Sequence, residues 1–322
     1  MNYINNKIER IFLKQNTLVT PINFSGVGVH NGRAVNMTIE PAIEDTGIIF
    51  KRLDLSKNNI VEVNVSNIDS SYLCTKLTNK MGVSVSTIEH LMAAFSAFGI
   101  DNAIVNIDDS ELPALDGSSL EYIKKFTKYG IQEQKKNKKA VKILRKIKVS
   151  EGKRFISISP SNNFTLNITI DYPNTLIGKS DLFYTHSKQN FVDYLSQART
   201  YALHEDIEKM RTSGQAMGGS LNNAIVVDKY KILNPGGLRF EKEFVKHKTL
   251  DCIGDLYLLG MPILGAVECF APGHKLNQKL VFKILKDKDN YKIEDAYVDK
   301  SYDTYINVLN KDRVSPNLTN VA

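Results

Sequence analysis

The stretch VKHKTLDCIGDL, residues 245–256, carries a polar stripe and an apolar stripe at helical spacing. His247, Asp251 and Asp255 follow one another at four-residue steps, so a helix places them along one face. The opposite face carries apolar side chains, at Leu250, Ile253 and Leu256. We therefore predict a helix that packs against a core. Its acids are costly to bury unless a partner compensates them, as a metal ion would. The alternative is a solvated stripe with a helical ion pair.

Around this helix, the rest of the chain mixes strand and helix patterns. Alternating or continuously apolar runs predict strands at residues 35–39, 103–107, 164–170 and 224–227. Periodic apolar residues predict helices at residues 87–98, 119–129, 204–213 and 244–259. Because both halves contain strands and helices, we predict an α+β fold.

The length of 322 residues suits two modest domains. A dense lysine run divides the chain near its middle and is typical of a linker that leads into a strand. We place a first domain at residues 1–134, the linker at 135–140 and a second domain at 141–300. The last residues, 301–322, are rich in Asn, Asp, Ser and Lys and are expected to form a loosely held tail.

Composition narrows the class of protein. The net charge of +7 suits an anionic substrate or an anionic membrane surface, but lysine-rich solvated faces explain it equally well. No zinc-finger spacing supports nucleic-acid binding, so we expect none. The three cysteines, Cys74, Cys252 and Cys269, lack any paired spacing and favour a reducing compartment. With no signal peptide or spanning segment recognised, we expect a cytoplasmic protein, a monomer, with at most peripheral membrane contact.

Three further segments contain residues that could do chemistry. In STIEHLMAAFSAF, residues 86–98, Glu89 precedes His90, although Ser86 and Glu89 also fit a capping box and His90 an interior histidine. APGH, residues 271–274, presents His274 after an apolar strand and by itself resembles a surface turn. The glycine-rich GVGVHNG, residues 26–32, matches no phosphate-binding loop and is interpreted as a tight strand turn.

Two histidines and one aspartate would make a three-ligand zinc site with a fourth position open to water, the pattern of catalytic rather than structural zinc. Zinc lowers the pKa of its bound water to about 7. A neighbouring carboxylate could then take the remaining proton, and Glu89 directly precedes the candidate ligand His90. His247 and Asp251 supply the other two positions at i, i+4 spacing.

Seven strings in order give the chain a resemblance to a known family. They are FSGVGVHNG (24–32), STIEHLMAA (86–94), ELPALDGSS (111–119), ARTYALHEDIEKM (198–210), GGSLNNAIVVD (218–228), LNPGGLRFEKEFVKHKTLDCIGDLYLLG (233–260) and GHKLNQKL (273–280). The chain resembles the UDP-3-O-acyl-N-acetylglucosamine deacetylases, zinc amidases that commit a pathway to lipid A. The resemblance runs over nearly the whole chain.

The resemblance implies a role for each matching residue. His90, His247 and Asp251 would be the zinc ligands. Glu89 would be the general base that activates water. His274 would be the protonated partner, which stabilises the developing oxyanion or delivers a proton to the leaving amine.

Further residues would support these groups. By the same resemblance, Asp255 would hold the imidazole of His274 in place. Thr200 and Lys248 would bind the substrate carbonyl region and the anionic intermediate, and preorganised donors of this kind are worth roughly 3 kcal/mol each.

The resemblance also implies two similar α+β domains, each a sheet layered on helices, with the active site between them. An insert around residues 172–184 would help to form an apolar passage for the substrate's acyl chain. Ile207, Met210 and Ala216 fall where residues lining that passage are expected, although each also suits ordinary core packing. Tyr201 would pack its ring against the sugar.

One departure and two alternatives stand beside this interpretation. Ala271 and Pro272 occupy positions where the family carries a basic residue, so either another lysine compensates at the UDP diphosphate or the affinity for UDP is weaker. The alternatives are a zinc amidase acting on another N-acyl sugar, and a non-catalytic binding relative, which would usually lack the base or a ligand. A His2Asp site also accepts iron(II) or cobalt, so Fe2+ is an alternative metal in the cell.

Overall fold

The computed structural model describes residues 10–69 and 73–299. The strands of the N-terminal half are β1 (Arg10–Phe12), β2 (Lys14–Leu18), β3 (Ile22–Val27), β4 (Ala34–Pro41), β5 (Ile48–Arg52), β6 (Ile60–Glu62), β7 (Ile68–Asp69), β8 (Lys76–Thr78), β9 (Ser84–Ser86), β10 (Ala103–Ile107) and β11 (Ile131–Asn137). The helices of this half are α1 (Glu89–Phe98) and α2 (Leu120–Tyr129).

The strands of the C-terminal half are β12 (Lys139–Ile143), β13 (Ile147–Glu151), β14 (Arg154–Ser159), β15 (Phe164–Tyr172), β16 (Gly178–Thr185), β17 (Tyr201–Leu203), β18 (Ile225–Asp228), β19 (Lys231–Ile232), β20 (Ile263–Phe270), β21 (Tyr291–Asp295) and β22 (Tyr297–Asp299). Its helices are α3 (Lys188–Asn190), α4 (His204–Thr212), α5 (Glu243–Leu256) and α6 (His274–Leu285). This mixture of helices and several sheets confirms the α+β prediction.

The main sheet of the N-terminal half has five strands in the order β3-β4-β10-β5-β6. All neighbours are antiparallel except β10 and β5, which run parallel. Strand β4 shows why these residues form a sheet, because its apolar residues Val35, Met37 and Ile39 alternate with polar ones and are buried. Helix α2 lies against β3, where the rings of Phe24 and Tyr122 have centroids 5.0 Å apart.

The main sheet of the C-terminal half has seven strands. Its path is β13-β14-β20-β12-β21, and the hairpin of β15 and β16 joins through β15, which pairs parallel to β20. Helices α5 and α6 pack on this sheet, α5 against the β15–β16 hairpin and α6 against β13 and β14. A small sheet of β17, β18 and β19 lies beside them and contacts α4.

Helices α1 and α5 pack against each other and join the two halves. Nine of the ten residues of α1 are buried, Glu89 and His90 among them, so the helix lies inside the protein rather than on its surface. Gly99, at φ 62°, ends the helix in the left-handed conformation that glycine adopts without penalty. The buried residues of both halves form one continuous core.

The lysine-rich segment 135–140, expected as a linker, lies at the end of β11 and the beginning of β12. Its lysines are compatible with strands because they find acidic partners: Lys136 pairs with Asp45, while Lys138 is buried and pairs with Asp101 at 2.8 Å. The division of the chain into domains at residues 134 and 141 stays a prediction.

The predicted helices at residues 87–98, 119–129, 204–213 and 244–259 are confirmed within two residues at most ends, with a 3-10 turn completing the last one. The capping box is absent. Ser86 lies in β9 and its hydroxyl donates to the carbonyl of Ser110, while Glu89 is the first residue of α1. The interpretation of residues 271–274 as a surface turn is wrong, because His274 is buried and begins α6.

Within the described ranges, the helices are too short or too polar for any of them to cross a membrane.

Candidate active site

Three of the predicted ligands converge where α1 meets α5. His90 is the second residue of α1, and His247 and Asp251 lie one turn apart on α5. One potential ligand atom from each lies within 4.8 Å of the others. The Nε2 atoms of His247 and His90 are 3.2 Å and 3.5 Å from Asp251 Oδ1. The arrangement could therefore hold one metal ion.

The close approach of the two helices depends on Gly254. A Cβ atom at this position would lie 2.0 Å from the carbonyl oxygen of Glu89 and 3.2 Å from the backbone nitrogen of Ala93. No side chain fits in that space, so glycine lets α5 contact the first turn of α1. This contact brings the ligands of two distant segments together.

The protonation state and hydrogen bonds of His247 and Asp251 are compatible with metal binding. His247 Nδ1 donates to the carbonyl of Ala198 at 2.9 Å, which leaves Nε2 as the lone-pair nitrogen. Burial lowers the pKa of His247 to about 3, so the ring is neutral at pH 7. Asp251 Oδ1 is buried and has no hydrogen-bond partner among the described residues. A buried carboxylate oxygen without a donor needs an explanation, and a cation at this point provides one.

Electrostatics keep Asp251 ionised. Burial raises its pKa, but His247 and Lys248 outweigh burial and bring the pKa well below its ordinary value. Lys248 Nζ donates to Asp251 Oδ2 at 3.0 Å. Burial lowers the pKa of His90, but Asp251 raises it more, so the pKa lies above its ordinary value. A metal bound at His90 would compete with a proton for the ring nitrogen.

Glu89 and His274 face each other beside this set. His274 Nε2 lies 3.8 Å from Glu89 Oε1 and 3.9 Å from Asp251 Oδ2. On the other side of the ring, Nδ1 donates to Asp255 Oδ2 at 2.9 Å. Asp255 thus holds the imidazole at Nδ1, and Nε2 is left facing Glu89 and Asp251.

The surroundings raise the pKa values of both Glu89 and His274. Burial raises the pKa of Glu89 above its ordinary value, against the lowering effect of His274 and His90. Burial lowers the pKa of His274, but Asp255 and Glu89 outweigh it and raise the value to about 9. At neutral pH, His274 is therefore a cation that can give up a proton, next to a carboxylate able to accept one.

A cavity of about 770 Å3 opens onto these residues. Its size is in the range of small-molecule sites. It is lined by eleven of the predicted site residues, namely Glu89, His90, Thr200, Tyr201, Ile207, Met210, Ala216, His247, Lys248, Asp251 and His274. Asp255 does not line it, because it is fully buried behind His274.

Thr200, Tyr201 and Lys248 form one side of the cavity. The backbone of Thr200 is held on both sides, with its N–H donating to Gly117 and its carbonyl accepting from Ile225, each at 2.8 Å. The Lys248 ammonium lies 5.4 Å from the centre of the Tyr201 ring. The Tyr201 ring centre lies 6.2 Å from that of His247 and the Lys248 ammonium 3.0 Å from Asp251 Oδ2, so an aromatic face and a cation lie close to the candidate metal ligands.

Helix α4 and the loop after it also line the cavity, including Ile207, Met210 and Ala216. Residues 172–184, the expected insert, form the tip and second strand of the β15–β16 hairpin. The hydroxyl of Tyr201 donates to that of Tyr172 at 3.2 Å, so the hairpin reaches the cavity wall.

Some residues at the site were given no individual role by the sequence analysis. His30 lines the cavity, and its buried Nδ1 has no partner in the part of the chain that the structure describes. The sequence feature that could have pointed to His30 was its position in the glycine-rich stretch at residues 26–32. Arg154 of β14 also lines the cavity and donates to the carbonyl of Ala271, so a cation lies beside the position where the basic residue is missing. Thr75 lies behind Glu89 and had no sequence signal.

Comparisons with known proteins point to one family. The family described as UDP-3-O-acyl N-acetylglycosamine deacetylase matches residues 15–286. The chain is 42% identical over 284 residues to the UDP-3-O-acyl-N-acetylglucosamine deacetylase of a Nitratiruptor species, and the match covers 88% of this chain and 94% of the relative. It is 43% identical over 279 residues to the protein of that name from Pasteurella multocida, covering 86% and 92%. The matched residues include all of those that line the cavity.

Proposed function

The chain belongs to the family of UDP-3-O-acyl-N-acetylglucosamine deacetylases, and we propose that it performs this hydrolysis with one zinc ion. The family assigns it the deacetylase step of lipid A synthesis. The substrate would be a UDP-linked, 3-O-acylated N-acetylglucosamine, and the products acetate and the free amine. The observation that carries the zinc proposal is the convergence of His90, His247 and Asp251 at the bottom of the cavity.

The residues beside the ligands supply the proton transfers. When bound, zinc supplies Lewis acidity that polarises an amide carbonyl and lowers the pKa of water. Glu89, in its ionised form, takes a proton from the attacking water. His274, protonated below about pH 9, gives a proton from Nε2 to the leaving amine, and Asp255 keeps its ring in place.

Lys248 and Thr200 would stabilise the negative charge that develops on the acetyl oxygen. Burial lowers the pKa of Lys248, but Asp251 raises it further, so the ammonium stays charged. A fixed cation in a water-excluding site needs little reorganisation as charge develops. The ring of Tyr201 would lie against the sugar.

The ends of the substrate would occupy opposite parts of the cavity. Ile207, Met210 and Ala216 would line the passage for the acyl chain. Arg154, beside Ala271, would supply the positive charge for the diphosphate. Both assignments follow from cavity lining and charge.

Metal analysis paired with a deacetylation assay tests the proposal. We expect about one zinc per chain, with activity lost on chelation and restored by zinc. Turnover that persists in the chelated, metal-free protein would contradict zinc dependence. Replacing zinc by iron(II) or cobalt in the same assay would show which metals support turnover.

A substrate series tests the acyl passage. We expect kcat/KM to fall when the 3-O-acyl chain is removed, because binding of a remote group contributes to the rate. Equal rates with and without the chain would favour an amidase acting on another N-acyl sugar.

A further inference from the structure

Thr75 contacts both members of the proton-transfer pair from behind. It is fully buried and lies directly before β8. Its backbone N–H donates to Glu89 Oε2 at 3.0 Å. Its hydroxyl donates to Asp255 Oδ1 and lies 3.3 Å from His274 Nδ1. One residue therefore joins the carboxylate on one side to the imidazole and its partner on the other.

The Thr75 hydroxyl is one of the groups that hydrogen-bond to the Asp255 carboxylate. Asp255 Oδ2 accepts from His274 Nδ1 at 2.9 Å and from Asn277 Nδ2 at 2.7 Å. The other oxygen, Oδ1, accepts from the Thr75 hydroxyl and lies 3.2 Å from the same Nδ1 of His274. With both oxygens bonded, the carboxylate cannot rotate without losing a donor, so the ring that it holds keeps its orientation.

The backbone of Thr75 has a similar effect on Glu89. Its N–H occupies Oε2 and leaves Oε1 facing His274 Nε2 at 3.8 Å. The carbonyl of Thr75 also accepts from the N–H of Ile88, at 3.4 Å, immediately before α1 begins. The segment that carries the base is thus attached to the residue that fixes the acid.

We propose that Thr75 is a positioning residue, which sets the orientation of Glu89 and of the Asp255–His274 pair relative to each other. It is not among the residues that line the cavity and acts through the two groups that move protons. The inference rests on the proposed function, because it assumes that Glu89 and His274 carry those roles.

Matched variants at Thr75 test the hydroxyl. Thr75→Val keeps the shape and removes the donor, whereas Thr75→Ser keeps the donor. We expect Val to lower kcat by about 10–100-fold with little change in KM, the usual loss when a supporting hydrogen bond is removed, and Ser to restore most of it. Thr17→Val is the control, because Thr17 is a buried threonine with hydroxyl bonds to Asn102 and Ala42, outside the site. Ser and Val variants of equal activity would overturn the proposal.

A double-mutant cycle separates positioning from general destabilisation. In a His274→Ala background the hydroxyl has no ring to orient, so Thr75→Val should cost less than about 3-fold, because residues acting as a unit are not additive. An equal loss in both backgrounds would overturn the proposal. If the Val variant does not fold, Thr75→Ala and Thr75→Ser are compared in the same way. Failure of the proposed function is distinguishable, since the unmutated protein would then show no zinc-dependent turnover.

Discussion

Among single residues, the most informative contrast is between two buried carboxylates. Glu89 and Asp251 are both almost fully buried, yet the pKa of Glu89 is raised and that of Asp251 is lowered well below its ordinary value. The difference arises because Asp251 lies against His247 and Lys248, whereas burial prevails at Glu89. We therefore expect Asp251, the carboxylate with the lowered pKa, to serve as a metal ligand and Glu89 as the base.

Removing the carboxylate of Glu89 tests its role as base. Glu89→Gln keeps the shape and should retain the metal, because Glu89 is not among the converging ligands. We expect kcat to fall by roughly 10²–10⁴-fold, the usual contribution of a general base. Steady-state kinetics with metal analysis measures both quantities, and Glu241→Gln, at an exposed position, is the control. A variant with normal kcat would show that another group takes the proton.

The pH dependence of kcat/KM should be bell-shaped. His274 must be protonated, and its pKa is raised to about 9, so the rate should hold below that pH and fall as pH rises through it. Glu89 must be ionised, and its raised pKa places the acidic limb above the range of an ordinary glutamate. Asp255→Asn removes the first of the charges that raise the pKa of His274, so the basic limb should move to lower pH. A flat profile from pH 5 to 9 would contradict two-group catalysis.

Between elements, the decisive contact is the crossing of α1 and α5. Both helices are buried over most of their length, and α5 carries His247, Asp251 and Asp255 on the side that meets α1. Helix α6 completes the site because its first residue is His274. A buried charge set is thus assembled from three helices.

Adding one methyl group at the crossing should separate the two helices. Gly254→Ala would place a Cβ 2.0 Å from the carbonyl of Glu89, so the helices must move apart, at a cost of about 1–3 kcal/mol. We expect a lower free energy of unfolding together with reduced metal affinity and kcat. Gly260→Ala is the control, since that glycine has a φ of 76° but no atom within 4 Å of an added Cβ. It should lose about 1–2 kcal/mol of stability and keep its activity; a Gly254→Ala protein with normal metal affinity would contradict the prediction.

Across the whole chain, the site joins the two halves. His90 and Glu89 come from the N-terminal half, and the other two candidate ligands and His274 come from the C-terminal half. A metal held by both halves stabilises the folded state alone, because the unfolded chain does not bring the ligands together.

Metal removal should therefore lower the thermal stability. We expect a lower Tm after chelation and its recovery on adding zinc. Binding should raise the free energy of unfolding by about 2.7 kcal/mol when free zinc is a hundredfold above its Kd. Differential scanning calorimetry with and without zinc measures the shift. His247→Ala, which removes one ligand, should show little dependence of Tm on zinc. An equal shift in that variant would place the stabilising metal elsewhere.

Much of the fold could be predicted from local pattern. Strands β4 and β10 and helix α5 follow from residue periodicity, since each buries the face that the spacing indicates. Helix α6 was not predicted, although Leu276, Leu280 and Ile284 recur at helical spacing and are buried. The Pro-Gly pair that precedes it locally favours a turn, and the sequence did not show that His274 is buried where α6 packs against β13, β14 and α5.

The sequence by itself determined the family, the α+β class, and the shared face of His247, Asp251 and Asp255, because four-residue spacing is a property of any helix. The resemblance already implied that His90 and His274 belong to the site, but only the tertiary structure shows how close they lie to that face and that Thr75 lies beside them. These residues are far apart along the chain, and the distances between their side chains depend on how closely α1, α5 and α6 pack. That closeness rests on features such as Gly254, whose missing side chain has meaning only once the opposing backbone is in place.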